Sequence, residues 1–292
     1  MKRLFSRPDA ILSILVLGTL VAGALLAPWI AAWFGQDVTE TDLLSRYQPP
    51  SAEHWLGTDE VGRDVLLRLL YGARVSMTVG LVAALLAAAI GTTIGLLAGW
   101  FGGRTDVILM RFTDGVIALP LLPLLIVLAA VDLRKIGLPQ SIVTGESISL
   151  YRIVVITALV GWTTVARLVR GQALSLRARD FVRAAIAMGA KPLRIMIVHI
   201  LPNAISPIVV ATTLAVGNVI LFESVLSFLG LGIQPPLPSW GNMLSNAQET
   251  IWQSPLLAVY PGMLILITVA CCNLLGDALQ AAYDPRRRLR TA

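Results

Sequence analysis

Residues 179–203 read RDFVRAAIAMGAKPLRIMIVHILPN, a run too charged to be a membrane span and too regular to be a plain connector. Its first part, from Asp180 to Gly189, consists of good helix formers, and Asp180 can cap the start. Gly189 can end such a helix, and Pro192 shortly afterwards keeps it from continuing. The pattern predicts a short amphipathic helix parallel to a membrane. Ala184 and Ala185 would keep one side thin enough for another protein to approach closely, with Arg179 and Arg183 offering charges. From the pattern alone, a solvated connector fits as well.

Outward from this run the chain becomes apolar in both directions. Of its 292 residues 56% are hydrophobic and only 14% charged, with a mean hydropathy of +0.78, whereas an ordinary soluble domain carries about 25% charge. Six segments approach the ~20 residues that cross a hydrocarbon core: 10–33, 75–101, 107–131, the region around 153–166, 205–229 and 250–276. The first follows Lys2, Arg3 and Arg7 and is too long for a cleaved signal, so it reads as a retained anchor. The second is rich in small residues, Gly80, Gly91, Gly95 and Gly99, which suit the inside of a bundle. The third carries Pro120 and Pro123, which predict a kink, and Arg111 and Asp114, three apart, which can pair on one helix face. The fourth is uncharged only over 153–166, so Arg152 and Arg167 must snorkel outward.

The formal charge of +6 has a topological reading. With the N-terminus inside, 15 Lys and Arg fall on the cytoplasmic side and 7 outside, leaving Arg111 within the third span. This bias predicts that both ends are cytoplasmic, and it removes the need for a nucleic-acid partner. Cys271 and Cys272 are adjacent in an apolar stretch and read as small packing residues, while His54 and His199 lack the spacing of a metal or acid/base pair. No Ser/His/Asp cluster or HExxH stretch points to a membrane enzyme.

The run Arg183-Ala184-Ala185, then Gly189, then His199-Ile200-Leu201-Pro202 resembles the EAA loop of membrane subunits of ABC importers. Arg183 stands where that motif has an acidic residue and His199 where it has Ile, so a salt bridge made by the family's Glu does not carry over. Further stretches narrow the likeness. His54-Trp55-Leu56-Gly57-Thr58-Asp59 with Gly62-Arg63-Asp64, and Leu226-Ser227-Phe228-Leu229-Gly230-Leu231-Gly232 with Ser239-Trp240-Gly241, are similar to segments of dipeptide, oligopeptide and nickel permeases. Asp284-Pro285-Arg286 resembles their common ending. The similarity is to the permease subunit with an additional N-terminal span.

This resemblance implies an all-α polytopic fold of the type I importer class with six spans and both termini inside. It divides the chain into a tail and first helix (1–34), an extracytoplasmic segment (35–74), a permease core (75–280) with a coupling loop (167–203), and a basic tail (281–292). It implies a bacterial inner-membrane location and an assembly with a second permease subunit as heterodimer, two ATPase subunits and an extracytoplasmic binding protein. Arg183, Ala184, Ala185, Gly189, Leu201 and Pro202 would form the ATPase-docking loop. No Gly-x-x-x-x-Gly-Lys-Ser/Thr stretch occurs, so the chain is expected to be no enzyme and to hold no cofactor, ATP being hydrolysed by the partners. The expected cargo is di- or oligopeptides, with nickel or another small solute as the alternative. Glu223 is the candidate pathway residue, because ionisable groups inside a membrane are expensive. Residues 35–62, acidic apart from Arg46, are a candidate surface for the binding protein. From Ser239 a short helix to about Trp252, with Trp240, Met243, Leu244, Ala247 and Ile251 on one side, is expected at the membrane interface as part of an outer gate. A proton-coupled secondary transporter using Asp114 and Glu223 is the reading from another class, and it leaves the patterned loop unexplained.

Overall fold

A computed structural model of the chain describes residues 7–135, 139–140, 145, 147–245 and 247–283. Lys2, Arg3 and the Asp284-Pro285-Arg286 ending lie outside the described residues. The architecture is helical: α1 (Pro8–Phe34), α2 (Val65–Phe101), α3 (Gly103–Ala118), α4 (Leu121–Ala130), α5 (Ile148–Arg177), α6 (Asp180–Ala187), α7 (Pro192–Phe228) and α8 (Leu256–Tyr283). Five of these, α1, α2, α5, α7 and α8, are long and apolar enough to cross a membrane. The pair α3 and α4, bent by 87° at their junction, passes the same test together. The bend falls at Leu119-Pro120, where Pro cannot donate to the helix ladder and pushes the residue before it out of the helical region.

Several helices extend beyond their uncharged windows. α2 begins at Val65, ten residues before the apolar stretch, with Arg68 and Arg74 inside it. Its first turn is capped by Asp64, whose carboxylate accepts from Leu67 N–H at 2.8 Å. α5 runs from Ile148 to Arg177, so the predicted loop 167–203 is largely helix and only a short connection remains around α6. The last span is shifted: α8 occupies Leu256–Tyr283 rather than starting at Thr250.

α2 lies at the centre, packed along α5 and flanked by α1 and α7, with α8 bridging α1 and α7. Between α2 and α5 the glycines recur every four residues, at Gly91, Gly95 and Gly99, and so line one helix face. A Cβ built on Gly95 would lie 2.5 Å from the Ala166 carbonyl and 2.8 Å from Val169 Cβ; one on Gly99 would lie 2.6 Å from Ala173 Cβ. The two backbones therefore touch, which is how helices gain packing contact where no hydrophobic effect holds them together.

The segment before α2 is a folded unit. Asp59 is buried and accepts from the backbone N–H groups of Val61 and Arg63, both at 2.9 Å, and from the guanidinium groups of Arg63 (2.8 Å) and Arg68. Burial alone would raise the Asp59 carboxyl, but Arg68, the Arg63 N–H, the Arg63 charge and the Val61 N–H together hold it below the usual carboxylate range. A depressed folded value means that the contribution to stability is complete above the ordinary carboxylate pKa of about 3.9 and lost as pH falls through the folded value. In lipid nanodiscs, an acid-active protease is expected to leave residues 35–64 intact down to about pH 4 and to cut them progressively below it. Asp59→Asn should expose the segment already at neutral pH, and equal protection of the two proteins would contradict the assignment.

Candidate functional site

One end of the bundle gathers the start of α1, the region around α6 and the end of α8. Ala10 packs on Ala278 there, and Arg7, Gln172, Asn203, Asp277 and Gln280 all border one cavity of about 1460 Å³. The cavity is walled by α3–α4, α5 and α7. On α7 it reaches from Asn203 to Phe222, which at 1.5 Å per residue is about 28 Å. Its polar lining is mostly uncharged, with Thr157, Thr163, Gln172, Asn203 and Asn218 set among aliphatic residues. Among the described residues that line it, the charged ones, Arg7, Arg167 and Asp277, lie at the α6 end.

The expected Arg111–Asp114 pair is not formed in that way. Asp114 instead meets Arg167 of α5 at 2.5 Å, and Asp106 meets Arg170 of α5 through two contacts of 2.5 and 2.6 Å. A guanidinium from the neighbouring helix reaches these carboxylates across the α3–α5 contact, so the pairs tie two helices together rather than decorate one. Arg152, expected only to snorkel, donates to the Leu231 carbonyl at 3.3 Å.

α6 confirms the short helix in the connecting loop, with two corrections. Asp180 is in the first turn but Arg179 holds the cap position, and no side chain caps the helix. Ala185 does not face outward. Together with Val182 it is buried in a cluster with Leu96 and Trp100 of α2, Val169 and Ala173 of α5, and Ile195, Met196 and Ile200 of α7. Residues three apart share a helix face, so seating Val182 inward carries Ala185 with it. Arg183 and Ala184 are exposed, as are Phe181, Ile186 and Met188. Gly189 closes the helix at φ +81°, with its N–H on the Ile186 carbonyl (2.9 Å) and the Ala190 N–H on the Ala185 carbonyl (3.0 Å). Only Gly adopts that conformation without strain.

Leu201 and Pro202, read as the end of the loop, lie within α7. The turns just before them, Ile195–Ile200, are π-helical. Pro202 offers no N–H and crowds the preceding turn, and the wider π register accommodates this. Asn203 Nδ2 donates to the His199 carbonyl at 2.7 Å.

Glu223 does not border the cavity, although Val219 and Phe222 beside it on α7 do. It is wholly buried at the end of the bundle opposite α6. Its Oε1 accepts from Ser227 (2.7 Å) and Ser239 (2.8 Å), and its Oε2 from Ser76 of α2 (3.2 Å). Trp240 is likewise buried rather than interfacial, with its indole N–H donating to the Leu69 carbonyl at 3.0 Å. In place of one helix to Trp252 there are two short turns, Asn242–Leu244 and Ala247–Thr250; Gly241 rather than Ser239 holds the cap position of the first, and Ser239 Oγ accepts from Asn242 N–H at 3.1 Å. Ile251 is exposed and Met243 and Leu244 are half-buried, while the Ala247 side chain lies outside the described residues. Ser239 and Asn242, three apart, are the polar pair in this stretch that signals buried hydrogen bonding.

Comparison with known proteins gives one family. Residues 91–289 match the model for "Binding-protein-dependent transport system inner membrane component". The dipeptide transport system permease protein DppC of Alkalihalophilus pseudofirmus is 38% identical over 98% of this chain and 89% of its own length. The oligopeptide transport system permease protein OppC of Escherichia coli K12 is 38% identical over 98% and 90%. The glutathione transport system permease protein GsiD of Pectobacterium atrosepticum is 36% identical over 91% and 83%. Among solved structures, an inward-facing form of the MetNI methionine ABC transporter aligns with a TM-score of 0.58 over 74% of this chain and 97% of the other, at 18% identity. At that identity the likeness concerns the fold.

Proposed function

The chain belongs to the inner membrane components of binding-protein-dependent transport systems, the multi-pass permease subunits of ABC importers, and from this premise we propose that it moves di- or oligopeptides inward, driven by partner ATPases. The observation that carries the mechanism is the seating of α6. Val182 and Ala185 are held by α2, α5 and α7 together, while Phe181, Ala184 and Met188 stand free on the outward face. An ATPase subunit gripping that face moves the ends of α2, α5 and α7, of which α5 and α7 wall the cavity. In this reading the α6 end is cytoplasmic, and with it both termini.

Two arrangements of similar free energy then alternate, and only differential binding of nucleotide and loaded binding protein shifts them. A second permease subunit closes the open side of the cavity, and an extracytoplasmic binding protein delivers cargo at the end near Glu223. The peptide cargo is supported by the names of the relatives. Uncharged amides and hydroxyls along the cavity suit backbones whose side chains vary, and they offer no ligand cluster for nickel.

Ala184→Trp adds bulk on the free face, and Gly189→Val forbids the turn that ends α6. Each is expected to weaken co-purification of the ATPase subunits by at least about tenfold, an effect of the size of a central interface residue. Peptide uptake into proteoliposomes should fall with it. Normal association and uptake in both variants would sink the docking role, and uptake driven by a proton gradient without ATPases would favour the secondary transporter.

A further inference from the structure

The carboxylate of Glu223 is the centre of a relay. Each of its three serine partners also accepts a backbone N–H from the loop that follows α7: Ser227 from Ile233 (3.1 Å), Ser76 from Trp240 (3.2 Å) and Ser239 from Asn242 (3.1 Å). Asn242 completes the arrangement, accepting from Ser239 N–H at 3.0 Å and donating to the Ile233 and Leu237 carbonyls. Gly241 fits between Glu223 and Ser224, where a Cβ would lie 2.6 Å from Ser224 Cα. Residues 233–242 are therefore bound to α2 and α7 through one buried group, which no single-helix contact could achieve.

The same loop is held to α5 far more lightly. Gln234 N–H reaches Ser149 Oγ at 3.2 Å, Arg152 reaches the Leu231 carbonyl at 3.3 Å, and the rest is apolar contact of Leu231, Ile233 and Leu237 with the α4–α5 side. Apolar surfaces can slide, whereas parting the loop from α2 and α7 would take the Ser239 hydroxyl from Glu223 and leave the Ile233 and Trp240 N–H groups without their serine acceptors. Leaving buried hydrogen-bonding groups without partners is among the more costly single changes in a fold.

We propose that Glu223 is a positioning residue that keeps the loop 233–242 fixed to α2 and α7 throughout the transport cycle, so that a displacement of α7 is delivered whole to the outer face. This rests on the importer reading above. Glu223 touches no cargo in this role. It acts through the serines on the loop at the end of the bundle opposite α6.

The test uses the complete complex, two permease subunits with their ATPases, reconstituted with its binding protein. Glu223→Gln keeps the shape but turns one link round, setting an amide donor against Ser76 Oγ, which already serves Trp240. Ser239→Ala removes a loop hydroxyl and leaves the other two serines in place. In both, peptide transported per ATP hydrolysed is expected to fall about fivefold to tenfold. Basal hydrolysis and assembly should stay within about twofold of the unaltered complex. General destabilisation would lower transport and hydrolysis together and leave their ratio alone, so the ratio isolates the positioning role. If Glu223→Gln does not assemble, Ser239→Ala decides. An unchanged ratio in an assembled variant overturns the proposal, whereas absence of ATP-driven uptake by the unaltered complex would overturn the importer reading instead.

Discussion

Gly95→Leu is expected to abolish folded protein. The Cβ alone would meet the Ala166 carbonyl at 2.5 Å and the Arg170 backbone N at 3.0 Å, and neither backbone atom can turn aside as a side-chain tip could. The helices would have to separate along the face that also holds Gly91 and Gly99. Overpacking of this kind costs about 1–3 kcal/mol where the surroundings adjust, and two rigid helix backbones adjust poorly. The measurement is the yield of monodisperse protein after extraction and its thermal unfolding in detergent. Gly171→Ala, on α5 with open space around its would-be Cβ, is the matched control and should stay within about 0.5 kcal/mol of the parent. A stable Gly95→Leu protein would mean that α2 and α5 do not touch as described.

Trp240→Ala is the second large effect. The indole is wholly buried against Val65 and Leu69 of α2 and Ile220 of α7, and its N–H satisfies the Leu69 carbonyl. Truncating a buried Trp costs about 3–5 kcal/mol, and here it also removes the indole's hydrogen bond to the Leu69 carbonyl. The loss should be local. Residues 233–245, at the end of the bundle opposite α6, are expected to become cleavable by protease, while the cluster that seats α6 keeps its protection against amide exchange. Cleavage equal to that of the parent would contradict the placement of Trp240.

The sequence shows plainly those features that depend on neighbours in the chain. The spans, the break at Pro120, the short helix at Asp180 and its stop at Gly189 all follow from hydropathy, proline chemistry and glycine chemistry within a few residues. What it hides depends on partners far away. Arg68 reads as a charge that should end a span, yet Asp59 neutralises it and lets α2 begin at Val65. Asp114 has Arg111 three residues off and chooses Arg167, 53 residues away. Glu223 reads as a group facing the pathway, because a charge in a membrane suggests transport. Three serines, one of them 147 residues distant, surround it with donors that no local pattern announces.

The orientation of Ala185 illustrates the same limit. The small pair Ala184-Ala185 looks like one docking surface, yet adjacent residues on a helix point about 100° apart and serve different neighbours. Ala185 fills the bundle, and Ala184 alone is left for a partner.

The two longest helices, α2 and α7, each have 37 residues, about 55 Å of rod against a hydrocarbon layer of about 30 Å. Their surplus lies at opposite ends. That of α2 is marked by Arg68 and Arg74, and that of α7 by Arg194 and His199. Each rod is therefore long enough to extend an arm of about ten residues, roughly 15 Å, beyond a layer of that thickness. The permease thus meets water on both faces through helical beams continuous with its core, and a load applied at either arm turns the core without first having to stiffen a loop.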